Sequence, residues 1–79
     1  NRPFAISVKE IENLKPSHIK IHEIYVLIHS IIDEWEVTEG WWTNHPIDRR
    51  YFKVILDNGR GMVVFKDLLT NLWYRQRFA

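Results

Sequence analysis

The dipeptide Asn58-Gly59 is the feature of this sequence that most constrains the fold. It stands between two apolar runs, and both residue types tolerate the positive φ angles that a two-residue type I′ turn requires. Such a turn would place Phe52 opposite Phe65. One face of the hairpin would then be uniformly apolar, with Phe52, Val54, Leu56, Val63 and Phe65. Because turn and pattern agree, the sequence predicts an antiparallel hairpin over 51–66.

The segment 18–37 is compatible with a helix or with strands if only the spacing of its apolar residues is considered. Those residues recur at intervals of three and four, which is typical of an amphipathic helix. The composition favours strands, because the segment is rich in Ile and Val and contains no Ala. Apolar parity changes at His22-Glu23, which predicts a two-residue connection. A second change between Ile28 and Ile31 predicts a bulge or bend in a long strand.

The remaining segments complete an all-β prediction. Residues 4–8 alternate as a short strand, 9–17 are expected to form an ordered surface loop, and Asn71 suits a left-handed position in the connection 68–71. A last strand begins at Leu72. About six antiparallel strands in 79 residues imply a small barrel or strongly curled sheet, a form that limits exposed edges.

Length and composition indicate one small β domain over 1–79. Cysteine is absent, so packing alone must hold the fold, and 11 aromatic residues are available for it. A cytoplasmic location fits, since no apolar run approaches the roughly 20 residues of a membrane span and no leader opens the chain. The start at Asn1 and a single Met, Met62, predict a module of a longer polypeptide.

The net charge of +1 conceals an asymmetry between the two halves of the chain. Residues 1–40 hold four Lys/Arg against seven Asp/Glu, whereas residues 41–79 hold seven against three. The basic half also contains three of the four Trp. Basic and aromatic side chains together are typical of a groove for single-stranded nucleic acid, although a solvated face would carry the same excess.

The sequence contains no combination of residues that indicates an enzyme. No Cys or Gly-x-Ser-x-Gly context supports a nucleophile, and no small-molecule substrate is evident. His18 and His22 would lie about 13 Å apart along a strand, too far to share a metal ion. We therefore expect no catalytic residues, no metal and no cofactor. The acidic cluster Asp33, Glu34, Glu36 and Glu39 is read as a solvated edge that discourages strand addition.

Large aromatic residues and arginines are close together in the sequence where the chain is expected to turn between the long strand and the hairpin. The candidate binding residues are Trp41, Trp42, Arg49, Arg50 and Tyr51, joined by Trp73, Arg75 and Arg77 from the last strand. Trp, Tyr and Arg dominate binding hot spots, yet they also pack cores and cover them with Arg stems. If Trp41 and Trp42 lie in extended backbone, one would enter the core and the other would face solvent.

Aromatic residues follow one another in a recognisable order along roughly 19–78. The order comprises Trp35, Trp41-Trp42, Arg49-x-Tyr51-Phe52, Val64-Phe65-Lys66-Asp67 and Trp73-Tyr74. It resembles a small bacterial all-β domain family of unknown function, related to the C-terminal domain of ImuB-like proteins, which are homologues of Y-family DNA polymerases. Positions that match the pattern are Trp41, Trp42, Arg49, Tyr51, Phe65, Trp73 and Tyr74. Arg50 and the basic run Arg75-Gln76-Arg77 depart from it.

The resemblance implies a non-catalytic accessory domain in bacterial DNA damage tolerance, in the setting of translesion synthesis. Its partner would be a protein of a repair or polymerase complex, or single-stranded nucleic acid, and not a membrane. Two alternatives stay open on the residues alone. The chain could be a single-stranded nucleic-acid-binding β-barrel module, or a purely structural cap or spacer.

Overall fold

The computed structural model describes residues 3–12 and 15–76, and within these ranges the chain is built from β-strands without an α-helix. The seven strands are β1 (Phe4–Ile6), β2 (Val8–Ile11), β3 (Lys15–Ile21), β4 (Ile24–Glu39), β5 (Ile47–Leu56), β6 (Gly61–Asp67) and β7 (Leu72–Arg75). The all-β prediction is therefore confirmed. Nowhere in the described ranges does a helix occur that could cross a membrane.

All the strands belong to one antiparallel, strongly curled half-barrel sheet with the order β1-β7-β6-β5-β4-β3-β2. Its two outermost strands are consecutive pieces of the N-terminal segment. β1 pairs with β7, β2 pairs with β3, and only Ser7 separates them. The Lys20 N–H donates to the Ser7 carbonyl at 2.9 Å. Because β1 and β2 form one interrupted strand, seven elements agree with the expected number of about six.

The connection at His22-Glu23 is confirmed. Ile21 pairs with Ile24, and the two residues between them have φ angles of 49° and 67°, as a two-residue turn of the type I′ kind needs. Asn71 has the expected left-handed φ of 62°. The surface loop expected over 9–17 was wrong, since β2 and the start of β3 occupy most of it and pair with each other. The extended conformation imposed before Pro16 is compatible with a strand as well as with a loop.

The bend in the long strand is also confirmed. β4 pairs with β3 only as far as Leu27, and from Ile28 onward it pairs with β5. Register shifts occur between Ile28 and Ser30 and between Ile31 and Asp33, where extra residues turn the strand. β4 thus joins the two parts of the curled sheet, and its second half continues to the turn that carries Trp41 and Trp42.

The hairpin of β5 and β6 exists, but its predicted register was wrong by one residue. Tyr51, and not Phe52, lies opposite Phe65. The Gly59 N–H donates to the Leu56 carbonyl and the Leu56 N–H donates to the Arg60 carbonyl, so the loop has three residues. Gly59 has a φ of 88°, whereas Asn58 is not in the positive-φ region, as expected for a type I turn followed by a bulge.

The curled sheet therefore has an inner face that forms the core and an outer face that does not. The buried core cluster consists of Ile19, Phe52, Val54, Leu56, Met62, Val64 and Trp73. Lys66 is the buried charged residue among the described ones, and its Nζ donates to Glu10 Oε1 at 2.9 Å. Phe65 is also buried, but it lies on the outer face, because it alternates with Val64 along β6.

Candidate docking surface

Trp41 and Trp42 form the tip of the β4–β5 connection. Their side chains are 75% and 71% exposed, and the two rings meet edge to face with centroids 5.5 Å apart. The expectation that one of them enters the core was wrong, because the pair lies in a turn and not in extended backbone. Both indoles are presented to solvent next to each other.

The tip is held in shape by a single side chain. Thr43 Oγ1 donates to the Gly40 carbonyl at 2.7 Å and accepts from the His45 N–H at 3.1 Å. The Thr43 N–H also donates to the Gly40 carbonyl, at 2.8 Å. Gly40 has a φ of 63°, and a Cβ there would lie 3.1 Å from Thr43 Oγ1. The loop is therefore pre-organised, which lowers the ordering cost that a partner would otherwise meet.

A row of four aromatic rings crosses the outer face. Trp35, Tyr51, Phe65 and Tyr74 occupy directly opposed positions on β4, β5, β6 and β7. Their neighbouring centroids are 5.3, 4.9 and 5.2 Å apart, and the Trp35 and Tyr51 planes are only 4° from parallel. We call this set the aromatic row. The spacing follows the separation of adjacent strands, so the rings stack on one another across the sheet.

Arg49 covers the middle of the aromatic row. Its guanidinium carbon lies 4.5 Å from the Phe65 centroid, and Nη1 donates to Tyr51 Oη at 3.2 Å. This arrangement explains why Phe65 is only 1% exposed on a face that no other described strand covers. Two of the sequence candidates, Arg49 and Tyr51, are thus brought together on the outer face.

A shallow groove of about 640 Å³ runs beside the aromatic row. Trp35 and Tyr51 contribute to its lining together with Val63 and Gly61, and Lys53 and Asp33 bring opposite charges to it. The lining combines an aromatic wall, a small aliphatic residue and one residue of each sign. Such a groove suits an apolar side chain that is flanked by polar groups.

Arg50 projects to the opposite side of β5 and is engaged there. Its Nη2 donates to Glu34 Oε2 at 2.9 Å, and Nη1 donates to Glu36 Oε1 at 3.4 Å. Lys15 Nζ lies 3.4 Å from the other Glu34 oxygen. The hydrogen bonds from Arg50 hold the pKa of the Glu34 carboxyl below its usual value, with a smaller contribution from Lys15, while desolvation acts in the opposite direction.

The candidates from the last strand do not join this surface. Trp73 is 5% exposed and packs against Phe52 in the core, with ring centroids 5.6 Å apart. Arg75 is half-buried in register with Val64, a core residue. Arg77 lies outside the described residues. The sequence candidates that the structure describes therefore do not form one surface, because they are spread over the tip, the outer face and the inner side of the sheet.

Trp35, Phe65, Tyr74 and Lys53 are outer-face residues that were not among the candidate binding residues. The signal that locates them is the hairpin register. A three-residue loop ending at Gly59 puts Tyr51 opposite Phe65, and alternation then assigns Trp35 and Tyr74 to the same row. The two-residue turn places Phe65 on the core face instead, which hides the row.

The charges of the outer face are nearly balanced. By alternation along the strands, its β4–β6 part carries Arg49 and Lys53 against Asp33, Glu39 and Asp67, and its β2–β3 part carries Lys9 and Lys20. Lys66 and Arg50, two further cations of the basic half, are paired with acids elsewhere. Consequently, these two cations of the basic half are not available beside the exposed aromatics.

A comparison of the chain with protein-family models, with curated proteins and with solved structures found no match in any of the three. The similarity to ImuB-like C-terminal domains thus stays a prediction from the order of the aromatic residues.

Proposed function

We propose that this chain is a non-catalytic docking module that binds a protein partner through the Trp41–Trp42 tip and the adjacent outer face. The observation that carries the proposal is the pair of indoles, 75% and 71% exposed on a loop fixed by Thr43. Tryptophan is among the residue types most enriched at binding hot spots. Because the loop that carries the pair is already held in one conformation, binding loses less free energy to the ordering of that loop.

Two features favour a protein over single-stranded nucleic acid. A strand of nucleic acid needs a continuous track of positive charge, and the outer face of β4–β6, beside the aromatic row, carries two cations against three acids. Bases also need a series of free ring faces, whereas Tyr51 and Phe65 inside the aromatic row pack against the neighbouring rings and leave only its end at Trp35 open. An apolar surface with both signs of charge is the composition of a protein interface.

The biological setting that we propose is bacterial DNA damage tolerance, with a component of a repair or polymerase complex as the partner. The order of Trp35, Trp41-Trp42, Tyr51 and Trp73-Tyr74 supports it through the resemblance to ImuB-like C-terminal domains. A polymerase or repair component encoded in the parent chain or beside its gene would support this setting. A neighbourhood without any such component would remove it while leaving the docking proposal intact.

The docking proposal is tested at Trp42. A photoreactive phenylalanine at position 42 of the parent chain should crosslink to a protein in the native cell, and the same residue at position 23 should not. The captured protein is then titrated with the purified domain. We expect Trp42→Ala to weaken binding by more than tenfold, the usual loss at a hot spot, and to change the free energy of unfolding by less than about 0.5 kcal/mol.

Two results would contradict docking through the tip. One is equal crosslinking from positions 42 and 23. The other is a loss of about 3 kcal/mol of stability in Trp42→Ala, which would assign the indole to the core and the chain to a structural cap or spacer.

A further inference from the structure

We propose that the partner contributes an extended segment of alternating basic and aromatic or aliphatic residues, which adds as a strand to the free edge of β4. The segment would lie along 33–39 and extend the aromatic row by one ring. This inference rests on the proposed function, because it specifies how the docking module holds its protein partner. It is carried by three observations on β4: an unpaired edge, an open ring face and a matching distribution of charge.

The first observation is that β4 pairs with a strand on one side only from Ile28 to its end at Glu39. Pairing with β3 ends at Leu27, and pairing with β5 continues from Ile28 to Glu39. Within the part of the chain that the structure describes, no strand lies along the other edge over 33–39. An edge of this length presents outward-facing backbone N–H and C=O groups, and an extended peptide binds such groups by adding a strand.

The second observation is that the aromatic row ends at this edge. Trp35 stacks on Tyr51 almost in parallel across the β4–β5 pairing, at 5.3 Å. Its other ring face therefore points away from β5, toward the unpaired side, and the residue is 38% exposed. A strand added there would lie about 4.8 Å away, close to the spacing at which the rings of the row already stack. An aromatic side chain opposite Trp35 would continue the row.

The third observation is the distribution of charge on the two sides of the edge. Glu34 and Glu36 point toward the inner side, and Trp35 and Val37 toward the outer side. Glu34 is shared between Arg50 and Lys15, whereas Glu36, whose side chain is 48% exposed, is held at 3.4 Å by Arg50 as its one partner among the described residues. A partner strand would thus place Lys or Arg on the inner side and aromatic or aliphatic residues on the outer side.

The same charges oppose pairing with a second copy of the chain. An antiparallel pairing of two β4 edges centred on Trp35 would put Glu34 opposite the Glu36 of the second copy. A pairing centred on Glu36 would put like carboxylates together at that position and Asp33 opposite Glu39. Like charges directly opposite each other destabilise a sheet. The acids therefore discourage self-association and at the same time select a basic strand.

The test uses a synthetic peptide of four Lys-Phe repeats, titrated into the isotopically labelled domain. We expect amide chemical-shift changes and new hydrogen-exchange protection along 33–39, centred on Trp35. A peptide of four Glu-Phe repeats should not bind. A Lys-Phe peptide with methyl groups on the alternate amide nitrogens that face β4 should also fail, because it keeps the side chains but cannot donate to the edge.

Charge reversal provides the matched control. Glu36→Lys should weaken binding of the Lys-Phe peptide by on the order of fivefold, which corresponds to the loss of a favourable cross-strand pair. Glu23→Lys makes the same change in net charge at an exposed turn away from the edge, and we expect unchanged affinity. Equal weakening by both variants, or equal binding of the methylated peptide, would overturn strand addition.

The outcomes separate this inference from the proposed function. If the cellular partner depends on Trp42 and its contact shifts fall on the tip and the groove but not on 33–39, docking stands and strand addition is wrong. If the Lys-Phe peptide adds to the edge and no protein depends on Trp42, the role of the tip is wrong and the edge site stands.

Discussion

Exposing Trp41 and Trp42 is expensive for a domain of this size. A tryptophan can bury roughly 150 to 250 Å², and small domains depend heavily on each large apolar side chain. This chain places Phe52 and Trp73 in the core and leaves two of its four Trp almost fully in solvent. Their exposure is what the proposed docking role would need, whereas a role in the core would require them to be covered.

Lys66 presents the opposite situation, a charged side chain buried on the inner face of the sheet. It is 6% exposed, and its ammonium group is paired with Glu10 at 2.9 Å. Removing the carboxylate in Glu10→Ala should lower the free energy of unfolding by about 1–3 kcal/mol, because a buried cation would lose its partner. Lys66→Met should lower the free energy of unfolding by less than Glu10→Ala does, since an apolar side chain of similar length needs no carboxylate partner.

Urea denaturation of the two single variants and of the double variant measures both effects. The double variant should resemble Lys66→Met, because the carboxylate has no buried cation to satisfy once Lys66 is replaced. Additive losses in the double variant would show that the two side chains do not act as a pair.

At the scale of elements, the pattern of apolar residues predicted most strands but not how they align. The turn at His22-Glu23 and the bulges after Ile28 are predictable, because the alternation of apolar residues is strong on both sides and an extra or missing residue shifts it. The β5–β6 register is not predictable in this way, because two registers that differ by one residue both give the hairpin an apolar face. Val63, Val64 and Phe65 are consecutive apolar residues, so burial does not identify which of them faces inward.

The conformation of the tip depends on a local backbone feature that the alternation of apolar residues does not predict. Gly40 adopts a φ of 63° and lies against Thr43. Gly40→Ala should therefore destabilise the domain by about 1–2 kcal/mol, since a Cβ is unfavourable in the left-handed region and the contact with Thr43 Oγ1 is tight. Faster amide exchange at Thr43 and His45 would accompany it.

Gly61→Ala is the matched control for that variant. Its Cβ would meet Ile55 Cδ1 at an ordinary 3.4 Å, and its φ is not in the left-handed region. Thermal unfolding should place it close to the unmodified protein. If both variants lost the same stability, the strain at the tip would not be the cause.

At the scale of the whole molecule, folding disperses a charge pattern that looks concentrated in the sequence. The basic half contributes Arg50 to Glu34 and Lys66 to Glu10, both of which lie in the acidic half. These salt bridges thus connect the basic half of the chain to its acidic half. This is why a count of charges along the sequence overstates the positive potential around the exposed aromatics.

An oligonucleotide titration follows from this dispersal. We expect oligo-dT to leave the fluorescence of the exposed Trp41 and Trp42 nearly unchanged at low salt and at physiological salt, because the described cations form no track that would gather phosphates beside them. Quenching at low salt that disappears at higher salt would contradict protein docking as the main activity. It would favour the single-stranded nucleic-acid module instead.

The pairing of β1 with β7 joins two strands that are translated far apart in time. Ile6 pairs with Trp73, and nearly the whole domain lies between them in sequence. While the ribosome still holds Leu72–Arg75, β1 has no edge to pair with and the inner face lacks Trp73. Because such distant contacts form late, the pairing of β1 with β7 can form only after β7 has been synthesised. A nascent chain stalled before that point would expose Phe52 and Val64 to chaperones.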